Sequence, residues 1–165
     1  MLENGPRLSL AAPADASPED PRARVLERAE RYFGFVPSLL EEISCNPPVA
    51  EMWLGAMIKL QNGALAPAEQ HVVMLAALHR QDPPADPRGR ALAEATWKIM
   101  DQNGWLDESH LSEFRRAGID RRQLYEIMSL IGIATVANYV NHLHGSELDV
   151  MFLAGEPAPQ RTAMS

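Results

Sequence analysis

The feature that most constrains the fold of this chain is a set of prolines that each follow a small or helix-capping residue. Four such pairs precede segments in which apolar residues recur at intervals of three and four: Asp20-Pro21, Asn46-Pro47, Ala66-Pro67 and Asp86-Pro87. Proline is favoured at the first position of a helix, because its missing N–H has no partner there and its fixed φ suits the helix. Each pair therefore predicts a helix start.

Glycines supply the matching helix ends, because glycine adopts the left-handed conformation that closes a helix. The predicted ends are Gly34, Asn62-Gly63, Asn103-Gly104 and Gly118. Two further helices start at the N-capping aspartates Asp107 and Asp120, and a short one lies in "VPSLLEEI". No segment reads as a convincing strand, so the sequence predicts an all-α fold, a single-domain antiparallel bundle of seven or eight helices.

The last predicted helix, residues 120–144, differs from the others in composition. It is apolar nearly all round between Ile127 and Ala137, whereas a surface helix carries a polar face. It starts with a capping-box pattern, in which Gln123 follows Asp120 by three residues. We therefore predict that this helix is the buried axis of the domain.

The size and composition of the chain suit one domain. Its 165 residues are 46% hydrophobic, which is enough for a single core. Both ends are rich in proline, alanine and polar residues without a helical period, a composition typical of disorder. We predict a helical domain over residues 21–153, with disordered segments at 1–20 and 154–165.

Charge and hydropathy exclude two classes of partner. The net charge of −7 argues against nucleic acid, because such binding depends on clustered Lys and Arg. No apolar stretch is long enough to span a bilayer, and the N-terminus lacks the pattern of a secretory signal. We therefore predict a cytoplasmic protein without a membrane partner. Its single cysteine, Cys45, permits no internal disulfide.

Three blocks of the sequence match successive blocks of a known family. They read "YFGFVPSLLEEISCNPP", "LAPAEQHVVMLAALH" and "NGWLDESHLSEFRRAGIDRRQLYEIMSLIGIATVANYVNHLHGSELD". The last is the most specific, because its Gly-Trp, Ala-Gly and Asn-Tyr-x-Asn-His landmarks keep both order and spacing. Over about residues 25–152, the chain resembles a peroxidase-related protein of the carboxymuconolactone decarboxylase and alkylhydroperoxidase D-like family. The resemblance implies an alkylhydroperoxidase D-like fold, a homo-oligomer and a family activity of the thiol peroxidase or peroxiredoxin type.

The chain departs from that family where the redox chemistry lies. In the redox members, a helix beginning "LSPxExE" leads into a Cys-x-x-Cys pair and a histidine, and the second glutamate and the histidine relay protons to the thiols. Aligned from Leu65, Glu69 matches the first acid and His71 stands in place of the relay glutamate. After His79 and Arg80 the chain reads "QDPPADPRGRALAEATW". We therefore interpret the whole Cys-x-x-Cys helix as missing.

Several polar residues stay candidates for acid-base chemistry, since histidine titrates near neutral pH. The catalytic candidates are His71, Glu69 and His142. The candidate pocket residues are Asn138, Asn141 and His79, of which the two asparagines, like His142, match the family's Asn-Tyr-x-Asn-His block. If the two helices face each other, we expect one polar pocket. The alternative is that Glu69 and His71 belong to a solvated first turn, while the asparagines satisfy buried polar groups.

Local spacing predicts no metal site. His71 and His79 are roughly 12 Å apart along one helix axis, too far to bind one zinc ion together. His142 and His144 are two residues apart and point to nearly opposite sides of a helix. A site assembled between helices stays open, and we expect no cofactor.

Cys45 offers a different route to peroxide chemistry. It lies beside Asn46 and Pro47, near a helix N-terminus that lowers the pKa of a thiol. A lone thiol of this kind needs an external thiol to turn over. The alternative is an ordinary small residue packed at a helix junction.

Three functional hypotheses follow, and whether the chain is an enzyme stays open among them. The first is a non-redox binding or assembly protein that has lost the thiol site, with a second copy or a small molecule as partner. The second is an acid-base enzyme of decarboxylase or lactone type that uses His71 or His142. The third is a single-cysteine peroxidase that uses Cys45.

Overall fold

The computed structural model describes residues 20–80 and 82–144. Within them it contains seven α-helices and no strand, which confirms the predicted all-α class. The helices are α1 (Pro21–Phe33), α2 (Ser38–Ile43), α3 (Pro47–Leu60), α4 (Pro67–Leu78), α5 (Pro87–Asp101), α6 (Glu108–Arg116) and α7 (Arg121–His144). The predictions for residues 1–19, 145–153 and 154–165 lie outside the described residues.

The helix starts follow the capping chemistry expected from the sequence, with one exception. The side chains of Asp20, Asp86 and Asp107 each accept a hydrogen bond from a backbone N–H in the first turn of the helix that follows. Asn46 stands at the N-cap of α3, but its side chain makes no capping hydrogen bond. At the other end, Gly34 closes α1 with a φ of 83°, a conformation that glycine adopts without strain.

One hydrophobic core joins all seven helices. Its largest fully buried side chains come from α2, α3, α5 and α7: Leu40, Trp53, Leu54, Leu92, Ile127 and Leu130. The indole of Trp53 is buried, and its Nε1 donates to the carbonyl oxygen of Ile133 at 3.1 Å. This bond fixes α3 against the middle of α7 and satisfies the one polar atom of the largest core side chain.

Helix directions depart from a simple antiparallel bundle at α4 and α5. Glu69 in the first turn of α4 pairs with Arg88 in the first turn of α5, while Arg80, just beyond α4, pairs with Asp101 at the end of α5. The two helices therefore run in the same direction. The connection between them must therefore run back along the length of α4, which has 12 residues and is about 18 Å long. Its eight residues, 79–86, reach at most about 29 Å when extended, so they can span this distance.

The prediction that α7 is the buried axis of the domain holds for one face of the helix only. Its inner face is buried, including Ile127, Leu130 and Ala134. Its outer face is not, because Tyr125, Tyr139 and other residues on that side are exposed. In the single chain, other helices therefore cover only one side of α7, although this helix is apolar nearly all round.

No helix among the described residues has both the length and the apolar character needed to cross a membrane.

Candidate functional site

Glu69, the candidate that matches the family's first acid, is held by structural bonds at both carboxylate oxygens. Its Oε2 accepts from the backbone N–H of Ala66 at 2.8 Å, which caps α4. Its Oε1 accepts from Nε of Arg88 at 2.6 Å. Both side chains are partly buried, with 23% of Glu69 and 32% of Arg88 exposed. The prediction of a solvated first turn is therefore wrong for Glu69.

The pKa of Glu69 lies below its ordinary value. Burial on its own raises this pKa, because it disfavours the charged carboxylate. The hydrogen bonds from Arg88 and Ala66, together with the charge of Arg88, outweigh that effect. Glu69 is consequently ionised at neutral pH and has no proton to donate as a general acid.

Arg88 extends this contact to a third helix. Its Nη1 donates to the carbonyl oxygens of Ala117 at 3.3 Å and Gly118 at 3.1 Å, just after α6. These carbonyls belong to a helix C-terminus, where cations are favoured. The Glu69–Arg88 pair therefore joins the starts of α4 and α5 to the end of α6.

A second carboxylate, Glu126, lies close to this end of α4 and escaped the sequence reasoning. It is only 6% exposed. Its Oε2 accepts from the backbone N–H groups of Ala64 and Leu65, the latter at 3.2 Å, and its Oε1 accepts from Nε2 of Gln70 at 2.8 Å. Glu126 thus fastens the loop between α3 and α4 to the first turns of α7.

Gly63 explains why that carboxylate fits. A Cβ at this position would collide with the carboxylate of Glu126, so only glycine leaves room for it. The sequence did contain a signal, since Glu126 directly precedes the apolar segment that starts at Ile127. A charge at the edge of a helix with little polar surface is a candidate for burial with partners.

His71 lies two residues after Glu69 on α4 and is half-buried. Burial lowers its pKa below 6.5, and no hydrogen bond or neighbouring charge contributes to the shift. Its imidazole is therefore neutral at pH 7, which is the form that accepts a proton.

The remaining candidates lie at the opposite end of α4. His79 follows the last residue of α4 and is half-buried. Asn138 approaches the carbonyl oxygen of Leu78 with its Nδ2 at 3.5 Å, Asn141 is buried, and His142 is exposed. The interpretation that the asparagines serve buried polar groups finds one such contact, at Asn138.

The structure does not bring His71 and His142 together. Gln70 contacts Glu126 and Leu78 contacts Asn138, so α4 and α7 run in the same direction. His142 lies 16 residues beyond Glu126, which is about 24 Å along α7. A single pocket containing both histidines is therefore absent from the described residues, and the hypothesis that joined them loses its geometric support.

Cys45 is exposed in the turn between α2 and α3. The interpretation of this residue as a small side chain packed at a helix junction is therefore wrong. Within residues 20–80 and 82–144, no group of three or more His, Cys, Asp or Glu side chains could hold a metal ion.

A shallow, open depression of about 290 Å³ lies on the outer side of α5, where Arg90 and Glu94 contribute its charged groups. It includes none of the candidate residues.

Among known proteins, the fold has counterparts in solved structures. One is the crystal structure of an alkylhydroperoxidase AhpD core, an uncharacterized peroxidase-related protein from Ralstonia eutropha JMP134. The two chains are 17% identical, the match covers 82% of this chain and 88% of that one, and the TM-score is 0.64. No protein-family model matches the chain, and no curated protein matches it. At this level of identity the comparison shows an alkylhydroperoxidase D-like fold.

Proposed function

We propose that this protein is a non-redox binding or assembly protein on an alkylhydroperoxidase D-like helical scaffold. The observation that carries the proposal is the cysteine content: the chain has one cysteine, and it lies in the exposed turn between α2 and α3. A dithiol peroxidase needs a second sulfur within disulfide reach to resolve the oxidised first one. This chain has no such partner of its own.

The connection between α4 and α5 supports the same proposal. In redox relatives, a Cys-x-x-Cys helix is implied after the helix that corresponds to α4. Here α4 ends at Leu78 and α5 starts at Pro87, and the described residues between them are non-helical. Because α4 and α5 run in the same direction, this segment serves as the return connection. A non-helical connection at this place fits a scaffold that lacks the helix that would hold the thiols.

The bonding of Glu69 also supports the proposal of a non-redox protein. To act as a general acid or base, Glu69 would need to exchange protons near neutral pH. Glu69 has a lowered pKa and both oxygens bound by Ala66 and Arg88. Its role in the proposal is to hold α4, α5 and the end of α6 together.

A second candidate function depends on His71. It is half-buried, and burial lowers its pKa, so the neutral imidazole is available as a general base. A non-redox acid-base enzyme of decarboxylase or lactone type would use this residue without His142.

As an assembly protein, the chain is proposed to form a homo-oligomer, with a small molecule as a further ligand and the cytoplasm as its location.

Native mass spectrometry of the full chain tests the assembly, and incubation with hydroperoxides or small lactones tests for catalysis. We expect a defined oligomer and no turnover of either substrate. Turnover that survives Cys45→Ser but is lost in His71→Ala would establish the second candidate and refute the first.

A further inference from the structure

The outer face of α7 carries a continuous row of exposed or half-buried side chains. We name it the outer stripe; it consists of Tyr125, Met128, Ser129, Gly132, Thr135, Val136, Tyr139 and Leu143. At 100° per residue, all eight lie within about 60° of Gly132 around the helix axis. The most exposed are Tyr139 (71%), Leu143 (64%) and Tyr125 (53%).

The outer stripe is apolar in practice. It contains no charged residue over the 19 residues from Tyr125 to Leu143, about 27 Å of helix. Three of its four hydroxyl groups have partners within the helix: Ser129 donates to the carbonyl oxygen of Tyr125 at 2.9 Å, Thr135 donates to that of Ile131 at 2.7 Å, and the hydroxyl of Tyr125 accepts from Nε of Arg121 at 3.0 Å. A long uncharged face of this kind marks an interaction surface.

The spacing of the stripe is symmetric about Gly132. Tyr125 and Tyr139 lie seven residues to either side of it, Met128 and Val136 lie four, and Ser129 and Thr135 lie three. When two copies of a helix pair antiparallel across a two-fold axis, residues equidistant from the axis face one another. Six of the eight stripe residues would then face one of the same kind: aromatic on aromatic, aliphatic on aliphatic, hydroxyl on hydroxyl. Gly132 would face its own copy, and Leu143 would face Arg121.

Gly132 itself has no explanation within the single chain. Glycine weakens a helix interior relative to alanine, yet a Cβ at Gly132 would meet no atom within 4 Å. A side chain is therefore tolerated by the fold, and its absence leaves a gap in the middle of the stripe. Small residues at a helix crossing allow two backbones to approach closely.

Charge at the ends of α7 selects the antiparallel direction. Arg121 and Arg122 are exposed at the N-terminal end. Antiparallel pairing about Gly132 places Arg121 level with the partner's Leu143, so the arginines of the two copies lie at opposite ends of the contact. Parallel pairing would place each arginine beside its own copy and cause repulsion.

We propose that a second copy of this chain docks on the outer stripe, with the two α7 helices antiparallel and crossing at Gly132. This inference rests on the proposed assembly function and names its partner and surface. It also accounts for an α7 that is apolar nearly all round but covered on one side only in the single chain.

Disulfide trapping tests the crossing point. In a Cys45→Ser background, Gly132→Cys places the two sulfur atoms across the two-fold axis, within reach of a disulfide. The matched control is Glu94→Cys in the same background, on the exposed side of α5. Under mild oxidation we expect a covalent dimer, about twice 18.3 kDa, for the first variant and at least tenfold less for the control. Equal crosslinking of the two, or none at position 132 in a dimeric protein, would overturn the inference.

Tyr139→Ser supplies a readout that does not depend on oxidation. Tyr139 is exposed, so its loss leaves the core intact, and circular dichroism checks that the helices are retained. We expect the dimer dissociation constant from sedimentation to rise at least tenfold, whereas Glu94→Ser leaves it unchanged. A dimer insensitive to Tyr139→Ser overturns this inference alone and leaves the assembly proposal standing. A chain that is monomeric at every concentration overturns both.

Discussion

Two arginine–carboxylate pairs join α4 to α5, one at each end, and they differ in how the protein uses them. At the N-terminal end, Glu69 and Arg88 are partly buried, and both side chains also form hydrogen bonds with backbone atoms, those of Ala66, Ala117 and Gly118. At the C-terminal end, Arg80 and Asp101 form a two-point contact at 2.7 and 2.8 Å on the surface. The same chemical pair is therefore a junction of three helices at one end and a surface contact at the other.

The difference shows where the fold is held. Glu126 adds a second, buried carboxyl group beside the first turn of α4, so two carboxyl groups at the N-terminal end of the helix have hydrogen-bonded oxygens. The C-terminal end leads into the connection to α5, the segment in which the sequence resemblance would place a thiol pair. Glu69, which suggests catalysis from the sequence, is thus a structural residue at the N-terminal end of α4. The segment after the C-terminal end, where chemistry was expected, is a connection between helices.

The largest expected effect is at Glu126. Substitution by alanine removes three accepted hydrogen bonds and leaves the buried N–H of Leu65 without a partner. We expect the free energy of unfolding to fall by about 3 kcal/mol, measured by urea denaturation. Gly63→Ala tests the same site independently, because its Cβ displaces the carboxylate. Glu94→Ala, on the exposed side of α5, is the control; a loss equal to that of Glu126→Ala would refute the role of burial.

Glu69→Gln is expected to destabilise the protein by about 1–2 kcal/mol at pH 7, because it weakens both the cap of α4 and the pair with Arg88. The folded-state pKa of Glu69 is lowered below 4.5, so its contribution is present above the unfolded pKa and is lost as pH falls through the folded pKa. The difference in stability between wild type and variant should therefore disappear in acid. A difference that stays constant from pH 7 to low pH would contradict the ionised role.

His71→Gln tests the burial of the imidazole through the pH dependence of stability. The folded-state pKa lies below 6.5, so the unfolded chain takes up a proton first as pH falls. The free energy of unfolding of the wild type should therefore decrease below about pH 6.5. The variant should lose less stability than the wild type between pH 7 and pH 5. Parallel curves for the two proteins would show that His71 is as solvated when folded as when unfolded.

The smallest expected effect is at Arg80. Its pKa is raised by the hydrogen bond to Asp101 and the charge of that carboxylate, but the pair is exposed to solvent and screened. Arg80→Ala should leave the melting temperature unchanged, while Arg88→Ala lowers it measurably under the same conditions. Equal losses in the two variants would remove the contrast between the ends of α4.

Much of the fold follows from local chemistry along the chain. Pro21, Pro47, Pro67 and Pro87 start helices where expected, because proline at the first helical position and capping at the preceding residue are local effects. The shared direction of α4 and α5 was not predictable, because it depends on contacts such as Arg80–Asp101 across 21 residues.

Less of the candidate site than of the fold could be predicted from the sequence. Glu126 bonds backbone groups about 60 residues away, and no local pattern specifies that contact. The alignment that favoured Glu69 predicted its position along a helix and said nothing of its bonding partners. A resemblance at the level of motifs locates residues along helices, whereas the pKa of each depends on the neighbours that folding provides.

Hydroperoxide consumption with a thiol reductant tests the central claim most directly, when the wild-type chain is compared with Cys45→Ser. Because Cys45 is the one cysteine of this chain and has no resolving partner within it, we predict that the two proteins give the same rate and that neither exceeds the rate without protein. Consumption by the wild type that is lost in Cys45→Ser would contradict the claim and establish a single-cysteine peroxidase.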